Sequence, residues 1–354
     1  MQGPETLDQE DKFVAMMTAK ARSSLLLCDY EPRSALQNHS TKVLQPRFPV
    51  IDYHNHLDAL EPADVLRTMD ACGVERVVNI TMQTGDAALA SLERWQHAAA
   101  ERFATIGWMD WSGFDTPEFV PRTLDTMERM VERGAVGWKI WKDLGLTLRD
   151  RSGKLVRVDD ERLDPVFDKA RELGIPVMFH TSDPLAFYAP IDVQNERYEE
   201  LAAHPEWGFH GAEYTKLQLM EQRNNVFARH PHTRFVAAHV GEYAEDMGFV
   251  AAMLDRYANV DVDLSARANE LGRQPYTARE FFLKYADRIL FGADLLPTPE
   301  MYRLYYRFLE TRDEYFPYPT HASGQGRWCI YGLYLPDDVL EKVYRTNALR
   351  LLPR

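Results

Sequence analysis

The sequence predicts an α/β fold of eight parallel strands, the number that closes a (β/α)8, or TIM, barrel. Two observations support it. From Phe48 onward, short apolar runs alternate with longer segments of helical period. Glycine recurs at the junction of a helix and the next strand, at Gly73, Gly134 and Gly174, as a helix C-cap requires. On strand count alone an open doubly wound sheet stays available. However, neither GxGxxG nor GxxxxGK[ST] follows the first strand, which counts against a nucleotide-binding sheet.

Residues 1–47 read as an N-terminal extension, with one helix over Asp11–Leu27. Pro32, Pro46 and Pro49 then favour an extended approach to the first strand. Residues 48–354 read as the barrel domain. Its strands are expected at Phe48–His56, Arg76–Thr81, Phe103–Met109, Val136–Trp141, Pro176–His180, Arg234–His239, Val260–Leu264 and Arg288–Asp294. A helix over Pro62–Cys72 separates the first two. Two connections are long: 181–231 after the fifth strand, and 295–336 after the eighth. The second is dense in aromatics, among them Tyr302, Tyr305, Tyr306 and Phe308. Both belong at the C-terminal mouth, where barrel active sites form. They are expected to act as a lid or pocket wall, or as a subunit interface, so a homodimer is compatible with the sequence.

Composition narrows the function. With 45% hydrophobic residues, the 354-residue chain can fill a large core. A formal net charge of −13 excludes a broad nucleic-acid footprint but leaves room for an anionic small substrate in a locally basic pocket. The three cysteines, Cys28, Cys72 and Cys329, form no CxxC pair and suggest neither a thiolate zinc site nor a disulfide framework. No secretory signal or membrane span is read, so a cytosolic location is expected.

The chemistry concentrates at strand ends. In Asp52-Tyr-His54-Asn-His56 the two histidines point to the same side of a strand, about 7 Å apart, where two imidazoles can lean onto one ion. The alternative for either is a hydrogen-bonded core histidine. His180, His239 and Asp294 each close an apolar run on the fifth, sixth and eighth strands. A barrel brings those ends to one rim. No GxSxG and no Cys–His motif supports nucleophilic catalysis.

This set, with the wording around it, resembles the amidohydrolase superfamily. The stretches are Phe48-Pro-Val-Ile-Asp-Tyr-His-Asn-His, Gly137-Trp-Lys-Ile, Ala238-His-Val-Gly, Leu290-Phe-Gly-Ala-Asp and Tyr344-Arg-Thr-Asn-Ala-Leu-Arg-Leu. They are similar to its second large family, which holds aminocarboxymuconate-semialdehyde decarboxylase, resorcylate-type decarboxylases and pyrone-dicarboxylate lactonase. The resemblance implies that His54, His56, His180 and Asp294 ligate one divalent ion, and that His239 contacts the bound water or substrate. Zinc is the first expectation, with manganese, iron, nickel or cobalt as alternatives. Some decarboxylases of the family carry Glu at the first position of HxH; this chain keeps both histidines.

Lys139 lies on the fourth strand with the parity of Gly137 and Trp141. It is expected to face the mouth as a substrate-binding ammonium, to pair structurally with a neighbouring Asp, or to bridge a second ion as a carbamate, as in binuclear amidohydrolases. Trp141, Glu242, Arg267 and Arg273 are the substrate-binding candidates. Tyr243, Asp246, Asp261, Asp263, Ser265, Asp183, Asn195 and Arg197 are weaker ones. The expected reaction is hydrolysis of a small cyclic or carboxylated substrate by ion-activated water, with Asp294 moving the proton. The alternatives are non-oxidative decarboxylation and a non-catalytic metal-binding protein on the same scaffold.

Overall fold

The computed structural model describes residues 24–30, 32–318 and 325–352, and it divides into two compact units, Met1–Asn38 and His39–Arg354. The described part of the first unit carries one short 3-10 turn, Leu27–Asp29. The rest of the helix expected over Asp11–Leu27 lies outside the described residues.

Eight parallel strands pair in sequence order: β1 Val50–Asn55, β2 Val74–Ile80, β3 Phe103–Trp108, β4 Ala135–Ile140, β5 Val177–Phe179, β6 Phe235–Ala237, β7 Val260–Asp263 and β8 Ile289–Leu290. Backbone bonds draw the last strand to the first: Tyr53 N–H donates to Phe291 O (2.9 Å) and Asp294 N–H to His54 O (2.8 Å). The chain is therefore a (β/α)8 TIM barrel. Around it run α1 Pro62–Cys72, α2 Gly85–Ala99, α3 Phe119–Glu132, α4 Asp164–Leu173, α5 Tyr198–Ala203, α6 Lys216–Arg229, α7 Met247–Arg256, α8 Ala268–Arg273, α9 Pro275–Lys284, α10 Pro299–Glu310 and α11 Asn347–Leu351. Among the described residues, no helix is long and apolar enough to cross a membrane.

Local sequence explains the joints. Gly73 ends α1 at φ 66°, a left-handed conformation that Gly adopts without steric cost. A Cβ there would also lie 2.9 Å from Gln45 Oε1 and Pro46 Cδ. Gly292 admits the turn after β8 beside His54, whose Cβ would lie 2.9 Å from an added methyl.

Two apolar layers result. The lumen is filled by Ile51, Tyr53, Val78, Ile80, Ala104, Ile106, Val136, Met178, Val236 and Leu290, and Ala348, Leu351 and Leu352 pack against them. Burying each large aliphatic side chain contributes about 1.5–3 kcal/mol. The second layer lies between strands and helices.

Two expectations are corrected here. The strands stop short: β5, β6 and β8 end before His180, His239 and Asp294, because the backbone turns away at the rim. His239 (φ 55°), Val240 (φ 57°) and Asp294 (φ 48°) are left-handed, which no strand accommodates. The aromatic segment after β8 is largely not a lid. Tyr302, Tyr305, Tyr306 and Phe308 lie on α10 and are fully buried against the barrel, with Tyr306 near Phe291 and Tyr344. The segment just before β1 makes contacts within the second unit. Thr41 bonds Asp313 through its N–H and Oγ1 (2.7 Å each), and Arg47 pairs with Asp337 (2.6 Å).

Candidate metal centre

β1 delivers the first two donors. His54 is fully buried and His56 partly so, with ring centroids 5.8 Å apart. Their tautomers follow from their partners. His54 Nδ1 lies 2.9 Å from Asp263 Oδ2, and His56 Nδ1 lies 2.8 Å from the Ile80 carbonyl. Both partners are acceptors, so both Nδ1 atoms carry hydrogen and both Nε2 atoms present lone pairs. Those lone pairs converge on Asp294: His56 Nε2 is 3.5 Å from Oδ1 and His54 Nε2 is 3.8 Å from Oδ2. The donor atoms of His54, His56 and Asp294 all lie within 4.8 Å of one another.

His239 arrives from the turn after β6. Its Nδ1 donates to the Ser265 carbonyl (2.9 Å), which leaves Nε2 as an acceptor 3.6 Å from Asp294 Oδ2. Its own N–H donates to Asp263 Oδ1 (3.0 Å). Asp263 thus orients two histidines from β7. Burial alone would raise its carboxyl. His54, Ser265 and the His239 amide outweigh that and hold it well below the usual carboxylate range. His54, His239 and Asp263 also lie within reach of a common ion, but their facing atoms already hydrogen-bond with one another and with Ser265. The His54–His56–Asp294 group, whose Nε2 atoms face Asp294 and, at His54, the Lys139 ammonium, is the better cradle.

Lys139 comes up from β4 with its Nζ 3.4 Å from His54 Nε2 and no solvent exposure. Burial pushes its ammonium down to about 8, although Asp263 and Asp294 favour the charge. Its inward parity follows Gly137, whose missing side chain would face Ile106 of the lumen.

His180 stands one step further out. Its ring nitrogens lie against His239 Nε2 (3.2 Å) and Asp183 Oδ1 (3.4 Å). Burial lowers its pKa to about 3. Asp183 is held far below the usual carboxylate range against its own burial, chiefly by an ion pair with Lys142 and by His180. Trp141 packs edge-on to His180 at 4.5 Å.

Beside this cluster lies a cavity of about 510 Å³, walled by Trp141, Phe187, Trp207, Arg197, Arg267 and Gln325 and floored by His180, His239 and Asp294. That is a size typical of small-ligand sites. The connection after β5 supplies part of the wall, Phe187 and Trp207 included.

Two expected substrate contacts are not brought to the cavity. Glu242 is buried in an ion pair with Arg223 of α6 (3.0 Å) and accepts the Thr181 N–H; a carboxylate in a dry site must find such partners. Arg273 pairs with Glu196 (2.7 Å) and lies 4.3 Å over the Trp328 ring, where stacking and charge hold it. Among the weaker candidates, Asp246 caps α7 through the Phe249 N–H. Asp261 pairs with Arg288 and Arg350. Asn195 braces its own loop, and Tyr243 packs on Phe249. Arg197 pairs with Glu200 and Glu270. Lys142, directly after Trp141, was legible as a rim residue but was missed. Arg223 carries no local signal at all.

Residues 42–354 match the model of a family described as amidohydrolase. No curated protein sequence matches the chain. Solved structures superpose on it: a 2,6-dihydroxybenzoate decarboxylase from Rhizobium (TM-score 0.52, 17% identity, 86% of this chain and 98% of that one); a 4-oxalomesaconate hydratase from Rhodopseudomonas palustris (0.52, 14%, 86% and 95%); and an amidohydrolase from Burkholderia multivorans with bound zinc (0.52, 15%, 86% and 100%). At these identities the likeness is one of fold, and the activities are those of the neighbours.

Proposed function

The chain belongs to the amidohydrolase family, and on that premise we propose that it is a divalent-metal-dependent hydrolase cleaving a C–O or C–N bond (ester, lactone or amide) in a small substrate. One observation carries the proposal: the Nε2 lone pairs of His54 and His56 converge on Asp294 beside the buried Lys139. Neutral imidazoles and one carboxylate suit zinc first, and other first-row divalent ions next. His54, His56 and Asp294 would hold the ion, and the family resemblance adds His180. Bound there, it supplies Lewis acidity to water and to the substrate carbonyl.

The chain's own groups do the rest. Asp263 and the Ile80 carbonyl fix the histidine tautomers, so the donors need no rearrangement. Asp294 accepts the proton of the attacking water and passes it to the leaving group. His239, with Nδ1–H held by Ser265, offers Nε2 to an O–H of the water or substrate. Lys139, itself fully buried, stabilises negative charge as it develops. Trp141 and the other aromatic walls limit bulk water. The partner is a small molecule, since a net charge of −13 suits no nucleic acid, and a cytosolic setting is part of the proposal.

Decarboxylation is the second candidate, because a buried ammonium at Lys139 is also a proton donor to carbon. Turnover of lactone, ester and amide panels in oxygen-18 water separates the two. Label in the product carboxylate supports hydrolysis. Carbon dioxide release without label transfers the assignment to a carboxy-lyase.

A further inference from the structure

Four consecutive residues after β6 take the left-handed conformation: His239 (φ 55°), Val240 (φ 57°), Gly241 (φ 61°) and Glu242 (φ 62°). Among the described residues, no other two neighbours share it. Gly241 adopts it without steric cost. The other three carry a Cβ, and Val240 is β-branched as well. Such strain persists only where the surroundings over-determine it. Within the turn, the Glu242 N–H donates to Ala238 O (2.9 Å) and His239 O (3.0 Å). Further support comes from one helix.

That helix is α6. A capping box fixes its start, with Thr215 and Gln218 exchanging side-chain-to-backbone bonds. Lys216 and Arg223 lie two turns apart on it, on one face, and both are buried. Arg223 Nη1 donates to Gly241 O (2.7 Å) and pairs with the Glu242 carboxylate (3.0 Å). Lys216 Nζ donates to Glu242 O and to Asp183 O. The other Glu242 oxygen accepts the Thr181 N–H. Charge-assisted bonds of this kind are about twice as strong as neutral ones. Thr181 and Asp183 belong to the turn after β5, directly after His180. One helix face therefore grips both the turn that carries His239 and the turn that carries His180. Between those turns, His239 Nε2 stands 3.2 Å from His180 Nδ1. Lys216, Arg223 and Glu242 are all absent from the cavity wall.

We propose that Arg223, Glu242 and Lys216 are positioning residues: acting through the two turns, they set the His239 ring against His180 and bind no substrate themselves. The proposal rests on His239 being a group that meets the water or substrate, but the geometry it claims can be read without turnover. The experiment is nitrogen-15 NMR of histidine-labelled protein in the presence of zinc, with the His239 signals identified by their loss in His239→Gln. The clamp variants are Arg223→Met/Glu242→Met and Lys216→Met. The first removes both charges together, because removing one partner would leave the other buried and unpaired. Ile106→Ala, which loosens the lumen, is the control for lost stability alone. The kcat and KM are measured on any lactone, ester or amide of the panel that turns over.

In wild type, His239 holds one tautomer with hydrogen on Nδ1, as the Ser265 carbonyl dictates. Both clamp variants melt near wild type and mix the two tautomers. They lose about 10- to 100-fold in kcat, with KM held within about twofold. Ile106→Ala melts lower and keeps the single tautomer. A single tautomer retained in either folded clamp variant, mixed tautomers in Ile106→Ala as well, or a raised KM with unchanged kcat overturns the proposal. Failure of both clamp variants to fold also overturns it, since the network would then serve stability alone. Mixed tautomers confined to the clamp variants, with no panel member turned over, uphold the clamp and remove the hydrolase assignment instead.

Discussion

The two halves of the barrel lumen are built on the same eight strands and have opposite chemistry. The interior of the sheet holds Val78, Ile80, Ile106, Met178, Val236 and Leu290, all buried and all hydrocarbon or thioether. At the mouth, His54, Lys139, His239, Asp263 and Ser265 are equally inaccessible and all polar. Backbone strain follows the same division. Of the seven non-glycine residues with positive φ among the described ones, five, His239, Val240, Glu242, Ala266 and Asp294, lie in the turns directly after β6, β7 or β8 at the mouth. The apolar half contributes stability by excluding water. In the polar half Asp263 and Ser265 commit the histidine Nδ1 atoms and leave donor atoms facing Asp294, and its strained turns are held by the sheet beneath.

The difference can be broken from either end. The largest effect on function is expected from Asp294→Ala. A lost proton-transfer group costs roughly 10²- to 10⁴-fold in turnover, while the melting temperature, read by calorimetry, stays near wild type. Near-wild-type turnover would mean that Asp294 moves no proton. Next comes Ile106→Ala in the lumen, predicted to lose about 2–5 kcal/mol in denaturant unfolding with metal per folded chain unchanged. If metal falls in step with stability, the two halves are not separable. A smaller effect is expected from Asp263→Asn, which weakens the orientation of His54 and His239. Metal affinity should fall about 10- to 100-fold by competition with a chelator, and an unchanged affinity would assign Asp263 to folding alone.

The smallest effect concerns pH. Asp183 is held below the ordinary carboxylate value near 3.9, despite burial, by Lys142 and His180. A depressed pKa in the folded state adds stability above the unfolded value, and that stability is lost as pH falls below about 4. Asp183→Asn should therefore flatten stability against pH on the acidic side, measured by thermal melts between about pH 3 and 6. A profile as steep as wild type would place the acid sensitivity elsewhere.

The same division explains what the sequence could reveal. Apolar runs of strand length, punctuated by Gly73, Gly134 and Gly174, made the lumen and the eight-strand order legible, because both depend on local pattern. His54 and His56 were legible from alternation, and Lys139 from its parity with Gly137. The rest of the mouth depends on contacts between distant segments. Nothing near Glu242 signals Arg223, and nothing near Arg273 signals Glu196. Both were therefore read as substrate contacts, although their charges are already spent inside the fold. The aromatics of α10 misled for the converse reason. Composition alone does not tell a buried face from a lid, and Tyr302 is fixed by Asp52 (2.9 Å), 250 residues away.

The most direct test is metal per chain, measured by elemental mass spectrometry on protein purified without chelator, beside the His54→Ala/His56→Ala double variant. About one equivalent of a divalent transition ion in wild type, absent from the variant, is the predicted result. About two equivalents would make Lys139 a carbamate bridge instead of a free ammonium. No metal in wild type after reconstitution, or the same metal in the variant, would contradict the assignment of His54, His56 and Asp294 as the cradle.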